Sequence, residues 1–401
     1  MRVLFVSNLF PPGVLGGYEI LCGQVASALA DRGHDVHVLT TPAPDGTGFD
    51  ETWKGRVAVY PDLELLAPFA VAATWGRTHR ALVTRRNRHR TAATIARVRP
   101  DVVFVWSQLR LTIGPLRAVE ASGIPLCHTI NDDHLVGYAQ REFAWCPRAI
   151  AGFLLDRTVY RNATLSGLRL ENTACISSYL STRLRQANVP LADPVVEYQG
   201  IPIERFPQKT DLNRVSTPFR VLYAGQLLKQ KGVHTVIEAV GRVRERFGGD
   251  GVSLTVAGDG PDRAALEAQA AEMCPDTQFL GRLDQASLAA LYRESDVLVF
   301  ASGREAFGLT HLEAMASGTA VVSTTDGGHA EFLRDGENCL TFPFGDAEGL
   351  SGALNRLRVL PAYRRRLAAE ARADVERHFT LTGYVDRLEQ WLARTAARVA
   401  A

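Results

Sequence analysis

Val297-Leu298-Val299-Phe300-Ala301-Ser302-Gly303-Arg304-Glu305-Ala306-Phe307-Gly308-Leu309-Thr310-His311-Leu312-Glu313-Ala314-Met315-Ala316-Ser317-Gly318 decides the fold. Its first four residues are apolar, the pattern of a strand buried on both faces. A glycine-bearing loop follows, and from Leu309 the chain reads as a helix that Gly318 closes at its C-terminus. Another apolar run, 320–323, comes directly after. Strand, helix and strand in this order make a parallel unit whose sheet must be covered on both sides.

The same alternation extends outward in both directions. Apolar runs at 3–6, 36–39, 57–60, 102–106, 126–130, 174–176 and 195–198 read as one series of strands. A second series lies at 221–223, 254–257, 278–280, 297–300, 320–323 and 339–342. Two such series predict an α/β protein of two Rossmann-like, doubly wound domains, which suits 401 residues better than one core. Gly200-Ile201-Pro202-Ile203-Glu204-Arg205-Phe206-Pro207 has glycine and proline but no periodicity, and reads as a linker that continues to Pro218. The expected domains are 1–205 and 206–379, with a terminal helical segment at 380–401.

Composition narrows the class. With 46% hydrophobic and 22% charged residues the chain has the makings of a packed core, and a net charge of +2 argues against a nucleic-acid binder. Cys22, Cys127, Cys146, Cys175, Cys274 and Cys339 lie far apart, with no CxxC or Cys/His spacing suited to a metal. They read as small buried hydrophobes in a reducing compartment. The apolar start before Ser7 is too short for a secretory signal, and no stretch is long enough to span a membrane, so a cytoplasmic location is expected. The arginines at 77, 80, 85, 86, 88, 90, 97 and 99 leave two readings open. They form a solvated helix face, or a surface for anionic lipid or a phosphorylated acceptor at the inner membrane face.

Three loops that end in helices are candidates for chemistry. In Pro11-Pro12-Gly13-Val14-Leu15-Gly16-Gly17-Tyr18-Glu19, paired glycines allow backbone N–H groups to approach a phosphate at a helix start, although the segment alone also fits a plain turn. It is not a dinucleotide fingerprint, since G-x-G-x-x-G and the ribose-binding acid are both missing. Gly258-Asp259-Gly260 is a lone G-x-G. The second loop, Tyr223-Ala224-Gly225-Gln226-Leu227-Leu228-Lys229-Gln230-Lys231-Gly232, offers Lys229 and Lys231 as point charges for a diphosphate or as ordinary surface lysines. In the third loop Glu305 precedes the helix and Glu313 sits inside it. Eight residues at about 1.5 Å rise span at most about 12 Å, near the reach needed for a sugar at one end and a ribose at the other. Free N–H groups between them can receive a diphosphate, although two solvated glutamates at a helix start fit equally well.

Together these loops resemble the retaining GT-B glycosyltransferases of family 4, also called glycosyl transferases group 1. The resemblance covers essentially the whole chain and rests on E-x7-E at Glu305 and Glu313, on Pro-Pro…Gly-Gly-x-Glu, and on Lys231-Gly232. It implies two Rossmann-like domains facing across a cleft, with 380–401 packing back on the first. It further implies that Glu305 contacts the donor sugar, Glu313 binds the ribose and Lys231 neutralises the diphosphate. Gly16, Gly17, Gly225, Gln226, Gly258 and Arg282 join the donor site, with the backbone of Phe307, Gly308 and Leu309. Two positions depart from the family pattern: Gln226 stands where an arginine is usual, and Asn131 where a histidine is usual, with His128 and His134 on either side. Asn131 and His134 are therefore both candidates for the acceptor-side role.

The resulting expectation is a transferase for hexosyl or N-acetylhexosaminyl groups, passing them from a nucleotide-sugar (UDP-sugar favoured) to a small-molecule, glycan or lipid-linked acceptor with retention. No metal, cofactor or nucleic acid is expected. The alternative, motivated by Asn131 and Gln226, is a nucleotide-sugar-binding protein without transfer activity. A nicotinamide oxidoreductase is disfavoured by the missing fingerprint.

Overall fold

The computed structural model describes residues 1–43, 52–69, 76–139, 155, 158, 160–210, 216–248 and 251–400; Cys146 lies outside them. The chain divides into two compact units, Met1–Tyr198 with Val385–Ala401, and Gln199–Tyr384.

The first unit is built on strands β1 (Arg2–Val6), β2 (Asp35–Leu39), β3 (Thr52–Trp53), β4 (Val57–Tyr60), β5 (Val102–Val105), β6 (Leu126–Ile130), β7 (Thr173–Cys175) and β8 (Val195–Val196). Their order is β3-β4-β2-β1-β5-β6-β7-β8. All neighbours are parallel except β3 and β4, an edge pair whose two-residue β3 is too short for any apolar pattern to reveal. The central strand β5 is buried at every position, as an apolar run covered on both faces must be. The arginine-rich helix Arg77–Val98 buries Val83, Asn87, Thr91, Thr94, Ile95 and Val98, a stripe at helical spacing. Asn87 satisfies the backbone of Glu64 and Leu111 at 2.7–2.9 Å. Arg85, Arg86, Arg88 and Arg90 are exposed. Arg86 meets Glu64 at 3.0 Å, and Arg97 meets Asp62 at 3.7 Å.

In the second unit β9 (Phe219–Ala224), β10 (Val252–Ala257), β11 (Gln278–Gly281), β12 (Val297–Phe300), β13 (Ala320–Ser323) and β14 (Leu340–Thr341) form one wholly parallel sheet, in the order β11-β10-β9-β12-β13-β14. The helix Val233–Phe247 buries Val233, Val236, Ile237, Val240 and Val243 against it, alongside Leu254, Val299, Leu350 and Leu354. In both sheets the order reverses once, between β1 and β5 and between β9 and β12. Parallel sheets bind ligands beyond the strand ends at such switch points.

The stretch 200–207 is not the loose linker its composition suggests. Ile201 donates to Phe379 O and accepts from Leu381 N, both at 2.8 Å, and Ile201 and Phe206 are buried. Gly200 lies so close to the returning chain that a Cβ there would stand 2.1 Å from Thr380 O. The two passages between units are thus fastened to each other, and both belong to the second unit. The unit divisions fall after Tyr198 and Tyr384, where the sequence suggested 205 and 379. The helix Leu381–Ala400 starts in the second unit and ends in the first. There Glu389 holds Arg32 at 2.6 Å and His34 at 2.7 Å, and Trp391 meets Phe104 edge-on at 6.2 Å.

Candidate active site

The switch point of the second sheet carries two of the three loops singled out in the sequence. Gly225–Lys231 follows β9, and 301–308 follows β12. The Gly303 N–H donates to Gln230 O at 3.0 Å, tying the loops together. Gly232, with φ 68°, sits against β12 so closely that a Cβ would lie 2.1 Å from Ala301 O. Only glycine fits, and that contact fixes where Lys231 projects. Lys231 Nζ donates to Glu305 Oε2 at 2.7 Å, and the two side chains are 23% and 15% exposed. The loop of Glu305 is clamped from the other side: its N–H reaches Asp326 O at 3.2 Å and its carbonyl accepts from Gly328 N at 2.8 Å. One ammonium N–H is spent on Glu305, which leaves two for an anionic ligand.

Glu313 lies one turn further into the helix Leu309–Ala316. Burial pushes its carboxyl up to about 7, against the opposing bonds from Tyr292 and Gln285. The buried Tyr292 hydroxyl donates to Glu313 Oε2 at 3.0 Å. The helix begins at Gly308 with no side-chain cap, so its positive end is open to an anion. Phe307 is fully buried, edge-on to Phe332 at 5.5 Å, and Leu309 is buried too. What these residues can offer a ligand is therefore their backbone. Gly225 and Gly258 are brought together, Gly225 N donating to Ala257 O at 2.9 Å and Gly258 N to Gly281 O at 2.7 Å. Gln226 and Arg282 are exposed, the former just past β9 and the latter just past β11.

Two histidines that the sequence reading passed over complete this wall. His311 and His329 stack with ring centroids 4.9 Å apart. His311 Nε2 lies 2.9 Å from Ser323 Oγ, and His329 Nε2 lies 2.8 Å from Thr324 O. Burial holds both rings below the usual histidine range, so they are neutral at pH 7. They tie the helix Leu309–Ala316 and the turn Gly328–Glu331 to the end of β13.

In the first unit the loops after β1, β5 and β6 hold the remaining candidates. Gly16 and Gly17 are exposed at the start of the helix Gly17–Asp31. The Gly16 N–H already donates to Glu19 Oε2 at 2.9 Å, a carboxylate standing where the sequence suggested a phosphate. Burial raises the Glu19 carboxyl, and nearby Asp132 adds to the rise while backbone bonds at Gly16 and Leu15 oppose it. Asn131 is buried, and its Nδ2 donates to Trp106 O at 2.8 Å, so much of its amide is spent on structure. His134 is different: Nδ1 meets Asp132 Oδ1 at 2.5 Å, while Nε2 has no hydrogen-bond partner among the described residues. Burial alone would raise Asp132, but the charge and bonds of His134 outweigh it and lower the carboxyl. His128 is fully buried with neither ring nitrogen bonded to a described residue, and burial drives it down to about 3.

Comparison with known proteins settles what this geometry belongs to. The family model described as Glycosyltransferase Family 4 matches residues 15–205, and that described as Glycosyl transferases group 1 matches 204–374. Glycogen synthase of Mycobacterium tuberculosis is 31% identical over 394 residues, covering 94% of this chain and 91% of that protein. The chain belongs to glycosyltransferase family 4. Its fold is GT-B: sucrose-phosphate synthase from Thermosynechococcus elongatus superposes with a TM-score of 0.77 at 21% identity, covering 99% of each chain. Anabaena HepE, solved in complex with UDP-glucose, does so at 0.71 and 20%, covering 98% of this chain and 100% of that one.

Lys231, Glu305, Glu313, Gly308 and the Gly225–Gly258 pair share one end of one sheet, whereas Gly16, Gly17, Asn131 and His134 belong to the other unit. The enzyme's Tyr292, His311 and His329 went unrecognised in the sequence because each owes its place to packing within the second unit. Among the described residues no helix is long and apolar enough to cross a membrane, and no three metal-ligating side chains converge.

Proposed function

We propose that this enzyme transfers a hexosyl or N-acetylhexosaminyl group from a UDP-sugar to an acceptor hydroxyl with retention of configuration. The observation that carries this reading is the Lys231–Glu305 pair at 2.7 Å, set at the sheet's switch point beside an uncapped helix start. Glu305 orients the sugar hydroxyls, and the ammonium and helix N–H groups take up charge as the diphosphate departs. The acceptor oxygen bonds to the anomeric carbon on the face from which the phosphate oxygen leaves, and the hydroxyl proton passes to that phosphate oxygen. The products are the glycoside and the nucleoside diphosphate. Glu313, supported by Tyr292, receives the ribose hydroxyls. On the acceptor side the His134–Asp132 pair, whose Nε2 is unbonded among the described residues, is better suited than Asn131 to orient a hydroxyl.

UDP is favoured because it is common in the family and because the structurally similar Anabaena protein binds UDP-glucose. The acceptor is a small molecule, a glycan or a lipid-linked saccharide. Titration calorimetry with UDP, GDP, ADP and TDP tests the base, and tighter binding of any other nucleotide would replace UDP. Turnover of the matching sugar nucleotide in EDTA tests the rest. Activity is expected without added divalent cation, because Lys231 and backbone donors face the leaving group. The engaged amide of Asn131 favours one rival, a donor-binding protein without transfer. Donor binding with neither transfer nor slow donor hydrolysis would establish that rival.

A further inference from the structure

The second sheet has a pocket at the end away from Lys231 and Glu305. A cavity of about 200 Å³ opens among the residues that precede β9, β12 and β13, at the amino ends of those strands. Its charged lining is Lys209, Arg293, Arg364 and Arg365 against Glu294 and Asp296. Among the described residues the acids do not balance the cations. Asp296 is buried and fully engaged: it accepts from Arg220 N at 2.8 Å and Ser216 Oγ at 3.2 Å, and pairs with Arg364 Nη2 at 3.2 Å. Arg293 and Arg365 make no hydrogen bond or ion pair with the described residues. Arg365 is also close enough to Arg364 that its charge helps depress the Arg364 guanidinium, after burial. Neighbouring arginines left without a counter-charge, around a cavity of small-molecule size, are complementary to an anion with several acceptor oxygens.

We propose that this pocket binds a phosphate group, free or carried as a small phosphate monoester, at a site separate from the donor site. Arg293 and Arg365 grip the phosphate oxygens, and Lys209, which donates to Ser295 O, lines the wall. The lining segments lead back to the donor site. Arg293 follows Tyr292, whose hydroxyl holds Glu313, and Thr319 Oγ1 donates to Tyr292 O at 2.6 Å between the pocket-lining Gly318 and Ala320. Ser317, at the far end of the Glu313 helix, donates to Glu313 O at 3.0 Å. These bonds link the pocket lining to Tyr292 and to Glu313, the proposed ribose partner. Phosphate binding is independent of the donor reading, whereas an effect on the donor rests on it.

The test is calorimetry with inorganic phosphate and with glycerol 3-phosphate, at constant ionic strength in chloride, on the full chain. Lys231→Ala removes the donor-site cation and should leave phosphate binding unchanged. Arg293→Gln with Arg365→Gln should weaken it at least tenfold, and lysine at both positions should restore part of the loss. Arg293 is exposed, so Arg293→Glu alone gives a second variant without disturbing the core. Weak binding of the monoester beside firm binding of phosphate would identify the free ion as the ligand, and the reverse would identify a monoester. The proposal is overturned by loss of binding in Lys231→Ala, by unchanged binding in the folded arginine variants, or by no heat beyond that of chloride.

Discussion

Glu313 keeps its proton to about pH 7 because the interior that holds it disfavours its charge, and only Tyr292 and Gln285 offset that cost. Ribose hydroxyls donating to this carboxyl would favour the charged form, so nucleotide binding should expel a proton. Calorimetry of UDP at pH 7 in buffers of different ionisation enthalpy should show a fraction of a proton released, and none in Glu313→Gln. The same shift bears on stability. With its folded value raised from 4.5 to about 7, Glu313 favours the native state below pH 4.5, and that contribution is lost as pH rises to 7. The loss amounts to about 3 kcal/mol. Lys231 is the other decisive residue. Lys231→Ala should lower kcat by about 10²–10³, or about 3–4 kcal/mol, the scale of one preorganised donor to a departing anion. Unchanged kcat would remove Lys231 from the chemistry. Lys231, Glu305 and Glu313 were legible in the sequence because short segments carry them with their glycines. Tyr292 was not, since it meets Glu313 only after two helices pack, and Asp132 was not, since an acid two residues before a histidine forms no pattern until the loop folds and brings them to 2.5 Å.

At the scale of elements, the apolar runs located all the long strands, because a strand covered on both faces has no polar alternation to confuse it. The edge strand β3 escaped notice, its two residues being held by pairing with β4 and not by burial of a pattern. The segment 200–207 was misjudged for a similar reason: its order comes from the bonds of Ile201 to Phe379 and Leu381, which no local pattern announces. The turn between β9 and the helix Val233–Phe247 shows what such contacts require. Alanine at Gly232 would need φ 68° and would bring its Cβ to 2.1 Å from Ala301 O. Gly232→Ala should therefore cost at least about 1–3 kcal/mol, the scale of a strained non-glycine backbone, before any clash is counted. It should also raise the donor KM, because the turn aims Lys231. Urea unfolding and donor kinetics on the one variant check both expectations. A stable variant with unaltered KM would show that this turn does not set the lysine.

At the scale of the whole molecule, each unit carries histidine it has buried uncharged: His128 in the first, and His311 with His329 in the second. The sequence placed these residues in or beside strands and helices, but burial is a property of the assembled sheets, so their protonation was not legible. The consequence has a definite sign. The unfolded chain takes up a proton at each histidine as pH falls below 6.5, whereas native His128 resists until about 3. The histidines' contribution to stability is therefore constant above about 6.5 and declines from there toward 3. At pH 5.5, one unit below the unfolded value, His128 alone should have removed about 1.4 kcal/mol, with further loss from the other two. Glu313 opposes this only between 4.5 and 7, where its own contribution grows as pH falls. His128→Leu separates the effects. Neither ring nitrogen of His128 has a partner among the described residues, so an apolar side chain of similar volume leaves no broken bond behind and should cost little at pH 7.5. The variant should then lose less stability than wild type between pH 7.5 and 5.5. Urea titrations at the two pH values, followed by a probe in each unit, decide the matter. An equal loss in variant and wild type would mean that His128 is protonated in the native state and that the first unit's core admits the charge.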